Sequence, residues 1–169
     1  MSKVEVICFY GPESTGKTTM AKRFADIYTT KFVPEVAREF ITTNNFTVAD
    51  IIKIGKVQFA GIQESLPLAH KYLFCDTDLI TTQIYSKHYL NVVPPVLFEL
   101  EKMLKIDKYF LFDIDVPWIA DGLRDLGDFR QEMFNIFKKE LQIRNIESTH
   151  VRGTYAEREE TIRRELEKS

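Results

Sequence analysis

Gly11-Pro12-Glu13-Ser14-Thr15-Gly16-Lys17-Thr18 has the spacing G-x-x-x-x-G-K-[ST] of a phosphate loop. Its glycines let the backbone curl until successive N–H groups face phosphate oxygens, and a following helix adds the positive end of its dipole. Lys17 is then placed for the β and γ phosphates of ATP and Thr18 for Mg²⁺. The loop itself, with Gly11, Glu13, Ser14, Thr15, Gly16 and Thr19, is expected to hold the nucleotide.

Two acids close the apolar run Tyr72-Leu73-Phe74-Cys75. Asp76 and Asp78 lie two apart where the run ends, so one can face the metal and phosphates while the other faces a second substrate. Asp76 ends the run directly and is the expected metal ligand or general base, with Asp78 on the acceptor side; the alternative is an ordinary turn rich in Asp and Thr. Between Asp113 and Arg130 lies a segment with the only tryptophan, Trp118, and with Arg124 and Arg130. Arginines on a closing lid can neutralise charge on a transferred phosphoryl group, whereas on a solvated loop they would pair with neighbouring acids. Trp118 either stacks on a substrate ring or packs the lid. Glu35 and Arg38 present a carboxylate and a guanidinium to an acceptor, or form a surface pair. Gly153 to Tyr155 is either a backbone loop against adenine or a plain turn. His70, His88 and His150 match no metal spacing.

Positioning these groups requires strands and helices in alternation. The run from Val4 to Tyr10 predicts a strand before the phosphate loop, and Met20, Phe24 and Ile27 predict an amphipathic helix after it. Lys31 to Val33 reads as a short strand stopped by Pro34, and Glu35 to Ile41 as a helix. Thr47 to His70 is the longest helical stretch, opened by a capping pair, Thr47 with Asp50, and expected to bend at Gly55, Gly61 and Pro67. Continuous apolar runs at Tyr72–Cys75 and Tyr109–Phe112 have the form of parallel strands covered on both faces. Helices follow over Leu79–Leu90 and from Pro94-Pro95 through Leu104, and Phe129, Met133, Phe134, Phe137 and Leu141 stripe another. Ser148 to Val151 reads as a last strand before a charged C-terminal helix. The alternation predicts a three-layer α/β domain with a mainly parallel sheet, residues 1–169 forming one domain.

Composition narrows the function classes. A net charge of -2 and a pI near 6.0 give no electrostatic footprint for nucleic acid or an anionic membrane, so small-molecule partners are expected. Cys8 and Cys75 fall in apolar runs and read as buried free thiols in a reduced, cytoplasmic setting. No stretch is apolar enough to span a bilayer, and no export signal is expected. A GTPase is disfavoured by the lack of N-K-x-D, and a motor by chain length.

Taken in order, the phosphate loop, Pro34-Glu35-Val36-Ala37-Arg38-Glu39-Phe40, Asp76-Thr77-Asp78 with Thr81-Thr82, Asp113-Ile114-Asp115-Val116-Pro117-Trp118 with Asp121-Gly122-Leu123-Arg124, and Gly153-Thr154-Tyr155 with Arg158 resemble the NadR-type ribosylnicotinamide kinase domain. The resemblance covers nearly the whole chain and implies a P-loop kinase fold like that of nucleoside and nucleotide kinases. It implies transfer of the γ-phosphoryl of ATP to the 5′-hydroxyl of nicotinamide riboside. By position, Lys17 and Thr18 would serve ATP and Mg²⁺, Asp76 the metal or attacking hydroxyl, and Arg124 and Arg130 the lid. Glu35, Arg38 and Asp78 would line the riboside pocket, and the segment of Gly153 and Tyr155 would hold adenine. The bifunctional relatives add an H-x-G-H nucleotidyl-transferase motif and a DNA-binding segment, so neither adenylyl transfer nor operator binding is expected of this chain. A kinase for another nucleoside or nucleotide, and a nucleotide-gated regulatory protein, are the alternatives.

Overall fold

The computed structural model of the protein describes residues 3–37, 45–115 and 129–168. Strand β1 (Glu5–Tyr10) is central, flanked by β3 (Tyr72–Asp76) and β4 (Lys108–Phe112), with β2 (Phe32–Val33) and β5 (Ser148–Val151) at the edges. The order is β2-β3-β1-β4-β5, and every strand pairing is parallel. Parallel strands need crossovers that cover both faces of the sheet, which is why the three central strands read as unbroken apolar runs.

Among the described residues, six helices supply the covering layers: α1 (Lys17–Ile27), α2 (Val48–Ser65), α3 (Leu79–Leu90), α4 (Pro95–Met103), α5 (Arg130–Ile143) and α6 (Tyr155–Glu167). On one face, Met20 and Phe24 of α1 and Ile162 and Leu166 of α6 pack on Ile7, Phe9, Phe74, Phe110 and Phe112. On the other, Ile80 and Ile84 of α3 and Phe134 and Phe137 of α5 pack on Cys8, Tyr10, Tyr109 and Leu111. Ile62 of α2 closes that layer over Val33, Leu73 and Cys75. This is the three-layer α/β arrangement expected from the alternation.

Side chains fix the starts of α2, α3 and α6. Thr47 and Asp50 form a reciprocal capping box on α2, and Thr154 and Glu157 form another on α6. The expected bend at Gly55 and Gly61 does not appear as a break: α2 is one continuous helix to Ser65, and Pro67 falls in a 3₁₀ turn at Leu66–Leu68 beyond it. Gly55 answers to packing, because a Cβ there would stand 2.4 Å from Leu97 Cδ2, so its bare backbone lets α4 lie close. Phe129, expected in the apolar stripe of α5, precedes the helix and is half exposed.

Candidate functional site

The phosphate loop joins the carboxyl end of β1 to the amino end of α1, the edge where ligands gather in open parallel sheets. Gly11 has φ +140° and Gly16 φ +91°. A Cβ on Gly11 would stand 2.8 Å from the Phe112 carbonyl oxygen, so the loop rests directly on the end of β4. Ser14, at φ +59°, holds the left-handed conformation without being glycine, which places strain inside the loop. Lys17 is buried, and its Nζ donates to the Pro12 carbonyl at 2.6 Å and to Thr15 Oγ1 at 3.4 Å. Thr15 Oγ1 also donates to Pro12 O at 2.9 Å, so the ammonium is already folded over the loop it serves.

Register places Asp76 opposite Phe9, two residues before Gly11. The Thr18 hydroxyl donates to Asp76 Oδ2, joining the loop to β3. Asp76 is fully buried, and its Oδ1 has no hydrogen-bond partner among the described residues. An unsatisfied buried carboxylate oxygen is costly, and a hydroxyl beside it adds a second hard oxygen of the kind Mg²⁺ prefers. The residues present therefore fit a Mg²⁺ ion at Thr18 and Asp76.

Asp78 is turned elsewhere. Thr77 between the two acids has φ +74° and donates its N–H to Phe9 O, which swings the next residue away from the phosphate loop. Asp78 caps α3: its Oδ1 accepts the N–H of Thr81 at 3.1 Å and its hydroxyl at 3.2 Å, while Oδ2 accepts the Tyr109 hydroxyl at 2.5 Å. Burial raises its carboxyl above the ordinary value, and those hydrogen bonds oppose the rise. With Glu101, Asp107 and Tyr109 it lines a cavity of about 400 Å³ that reaches the residues preceding β4. Asp76 thus meets α1 through Thr18, while Asp78, expected on the acceptor side, caps α3 and faces that cavity.

Arg158 is the residue that sequence reasoning left without a role. It is 3% exposed on α6, with Nη1 donating to Thr15 O at 3.0 Å, Nε to Gly153 O at 2.9 Å and Nη2 to Asp113 O at 3.2 Å. Nη2 also donates to Asp115 Oδ1, and Asp115 Oδ2 accepts the Gly153 N–H at 2.7 Å. One guanidinium thus ties the phosphate loop, the end of β4 and the Gly153 turn together. Burial raises the Asp115 carboxyl, but the Gly153 N–H and the Arg158 charge outweigh it and hold the group below the ordinary carboxylate value. Arg130 opens α5 nearby; burial and the charge of Arg158 lower its pKa, and Asp113 and Asp115 oppose that.

Glu35 is half-buried just past the end of β2, and the following Val36 N–H is accepted by Gln58 Oε1 of α2 at 3.0 Å. Gly153 has φ +95°, and Tyr155, half exposed, opens α6. Arg38, Trp118 and Arg124 lie outside the described residues. The structure therefore brings together the phosphate loop, Asp76, Arg130 and the Gly153 turn, with Glu35 beyond the neighbouring strand. Among the described residues there is no cluster of three metal-ligating His, Cys, Asp or Glu side chains. Nor is any helix there long and apolar enough to cross a membrane.

A family model described as AAA domain matches residues 6–158. The trifunctional NAD biosynthesis/regulator protein NadR of Salmonella typhimurium is 31% identical over 159 residues, an alignment covering 88% of this chain and 38% of that protein. The chain thus spans well under half the length of that relative. Among solved structures, a NadR protein in complex with NR superposes with a TM-score of 0.84 at 22% identity, covering 97% of this chain and 51% of that one. Thymidylate kinase from Ehrlichia chaffeensis superposes with a TM-score of 0.67 at 16% identity, covering 99% and 98%. At these identities the superpositions establish a nucleotide-kinase fold.

Proposed function

This chain belongs to the AAA domain family, and on that premise we propose that it is a kinase that uses ATP and Mg²⁺ to phosphorylate the 5′-hydroxyl of nicotinamide riboside, residues 1–169 acting as one domain. The observation that carries the reading is the contact of Thr18 with Asp76 beside a complete phosphate loop, with one Asp76 oxygen uncommitted. The choice of acceptor rests on the kinship with NadR and on the NadR protein solved with NR.

Phosphoryl transfer needs positioning and charge stabilisation more than covalent chemistry. Lys17 exchanges the Pro12 carbonyl for β and γ phosphate oxygens, and the loop N–H groups hold the remaining charge. Thr18 and Asp76 would hold Mg²⁺, which would supply charge neutralisation across the phosphates. The riboside oxygen forms the new O–P bond as the bond from the γ phosphorus to the β–γ bridging oxygen breaks. ADP leaves with that oxygen, and the hydroxyl proton passes to a nearby carboxylate, Asp76 or Glu35, or to water. Arg130, joined by Arg124, offsets charge on the transferring group. Arg38 and Trp118 complete the acceptor side, and Gly153 and Tyr155 the adenine side.

The deciding experiment measures ATP consumption with Mg²⁺, with and without nicotinamide riboside, and identifies the product by mass. Riboside-dependent formation of the mononucleotide is the expected result. Nucleotide binding without riboside-dependent turnover removes the proposed acceptor and moves the search to a nucleoside panel.

A further inference from the structure

Gln58 is 2% exposed on α2, on the helix face it shares with Ile51, Ile54, Gly55 and Ile62. Its Oε1 accepts the Val36 N–H at 3.0 Å. Only the carbonyl end of an amide can accept a backbone N–H, so the orientation of this side chain is fixed. The Nε2 end is therefore the one left over; it is buried and has no hydrogen-bond partner among the described residues. Two buried donors without acceptors are destabilising, and native interiors rarely keep them without cause. Methionine or leucine would fill the position at similar volume with no polar group to satisfy.

The place of this amide in the fold indicates what it serves. Val33 of β2 is level with Cys75 of β3, so Pro34, Glu35 and Val36 continue past the carboxyl edge of the sheet beside Asp76 and Thr77. On α2, a Cβ at Gly61 would stand 3.4 Å from Val33 Cγ1, and Gln58 is one turn nearer the helix start, beyond the strand end. The amide thus lies on the Glu35 side of β3, at the ligand-binding edge, while Asp76 meets Thr18 of the phosphate loop. One buried group there has donors to give, and Asp76 Oδ1 has an acceptor to give.

We propose that Gln58 is a specificity-determining residue of the acceptor site, its Nε2 donating a hydrogen bond to a carbonyl oxygen on the acceptor's base. The proposal rests on the kinase reading above and deepens it: the carboxamide of nicotinamide riboside carries such an oxygen. A site built to donate to that oxygen discriminates against an analogue lacking it, because the buried N–H₂ is then left unpaired.

The test compares wild type with Gln58→Met on three acceptors at saturating ATP and Mg²⁺. Nicotinamide riboside and thymidine carry a carbonyl on the base, and pyridine riboside carries none. Gln58→Met is expected to raise KM for nicotinamide riboside about tenfold or more beyond its effect on pyridine riboside, with KM for ATP unchanged. Equal losses on both ribosides would assign Gln58 to support of the 34–37 segment alone and overturn the proposal. The wild type supplies a second readout that needs no variant. The Gln58 side-chain amide ¹⁵N–¹H signals should move when a carbonyl-bearing acceptor is added and stay put with pyridine riboside; signals that ignore both overturn it. Wild type that phosphorylates thymidine and not nicotinamide riboside refutes the proposed function alone, since the Gln58 comparison then runs between thymidine and pyridine riboside. Wild type that neither turns over nor binds a carbonyl-bearing acceptor refutes the Gln58 assignment.

Discussion

Lys17 lies buried with its ammonium on the Pro12 carbonyl, so on the kinase reading bound nucleotide would replace one set of oxygens around it by another. Lys17→Met should therefore cut kcat by roughly a hundredfold or more at a melting temperature close to wild type, as steady-state kinetics and thermal denaturation will show. Asp76→Asn should lower kcat similarly and raise the Mg²⁺ concentration needed for half-maximal rate, because it removes charge from the oxygen pair facing Thr18. Lys17, Thr18 and Asp76 were legible because motif and strand end name them. Arg158 and Gln58 were not, although each left a trace in the sequence. Arg158, Ile162 and Leu166 recur every four residues, and Gln58 falls in phase with Ile54 and Ile62, so each is a polar residue on an apolar stripe. Asp78 is a different case: the left-handed turn at Thr77 sets its direction, and that turn, like its partners Tyr109 and Thr81, depends on packing that no local pattern encodes.

Among the elements, helix starts were the readable feature. Thr47 with Asp50 advertised α2, and Pro94-Pro95 advertised α4, whose first residue is Pro95. Gly55, expected to bend α2, has a packing reason that lies on another helix, at Leu97, where no local pattern records it. Gly55→Ala should lower stability by about 1–3 kcal/mol in denaturant titration, since its Cβ would press on the Leu97 side chain. The clasp of Arg158 with Asp115 also belongs to this scale, because it joins β4, α6 and the phosphate loop. The Asp115 carboxyl titrates below its ordinary value in the folded state, so its stabilisation is complete above the unfolded carboxylate pKa near 4 and disappears as pH falls through the lower folded value. Asp115→Asn should thus melt below wild type at pH 7, by about 1 kcal/mol for a partly solvated pair, and the difference should vanish in acid. A gap that persists below both pKa values would show that the carboxylate charge is not its source.

For the molecule as a whole, layer count and parallel sense could be read from strands that are apolar on both faces, whereas the strand order could not. Pairing β1 with both β3 and β4 brings residues some seventy to a hundred positions apart into register, and strand periodicity carries no record of partner. Ligand that binds only the folded chain stabilises it by mass action, so a non-hydrolysable ATP analogue at a hundred times its Kd should add about 2.7 kcal/mol. Lys17→Met should show little of that gain in a thermal shift, and an undiminished shift would displace Lys17 from the nucleotide site. The same sheet carries its own reporter. Cys8 and Cys75 face each other across β1 and β3, both fully buried, with thiols pushed up by burial and by the charge of Asp78. A thiolate-seeking reagent therefore has nothing to attack until the centre of the sheet parts. Alkylation of these two sulfurs becomes a clock for that opening, one that bound nucleotide should slow and that ticks without any engineered label.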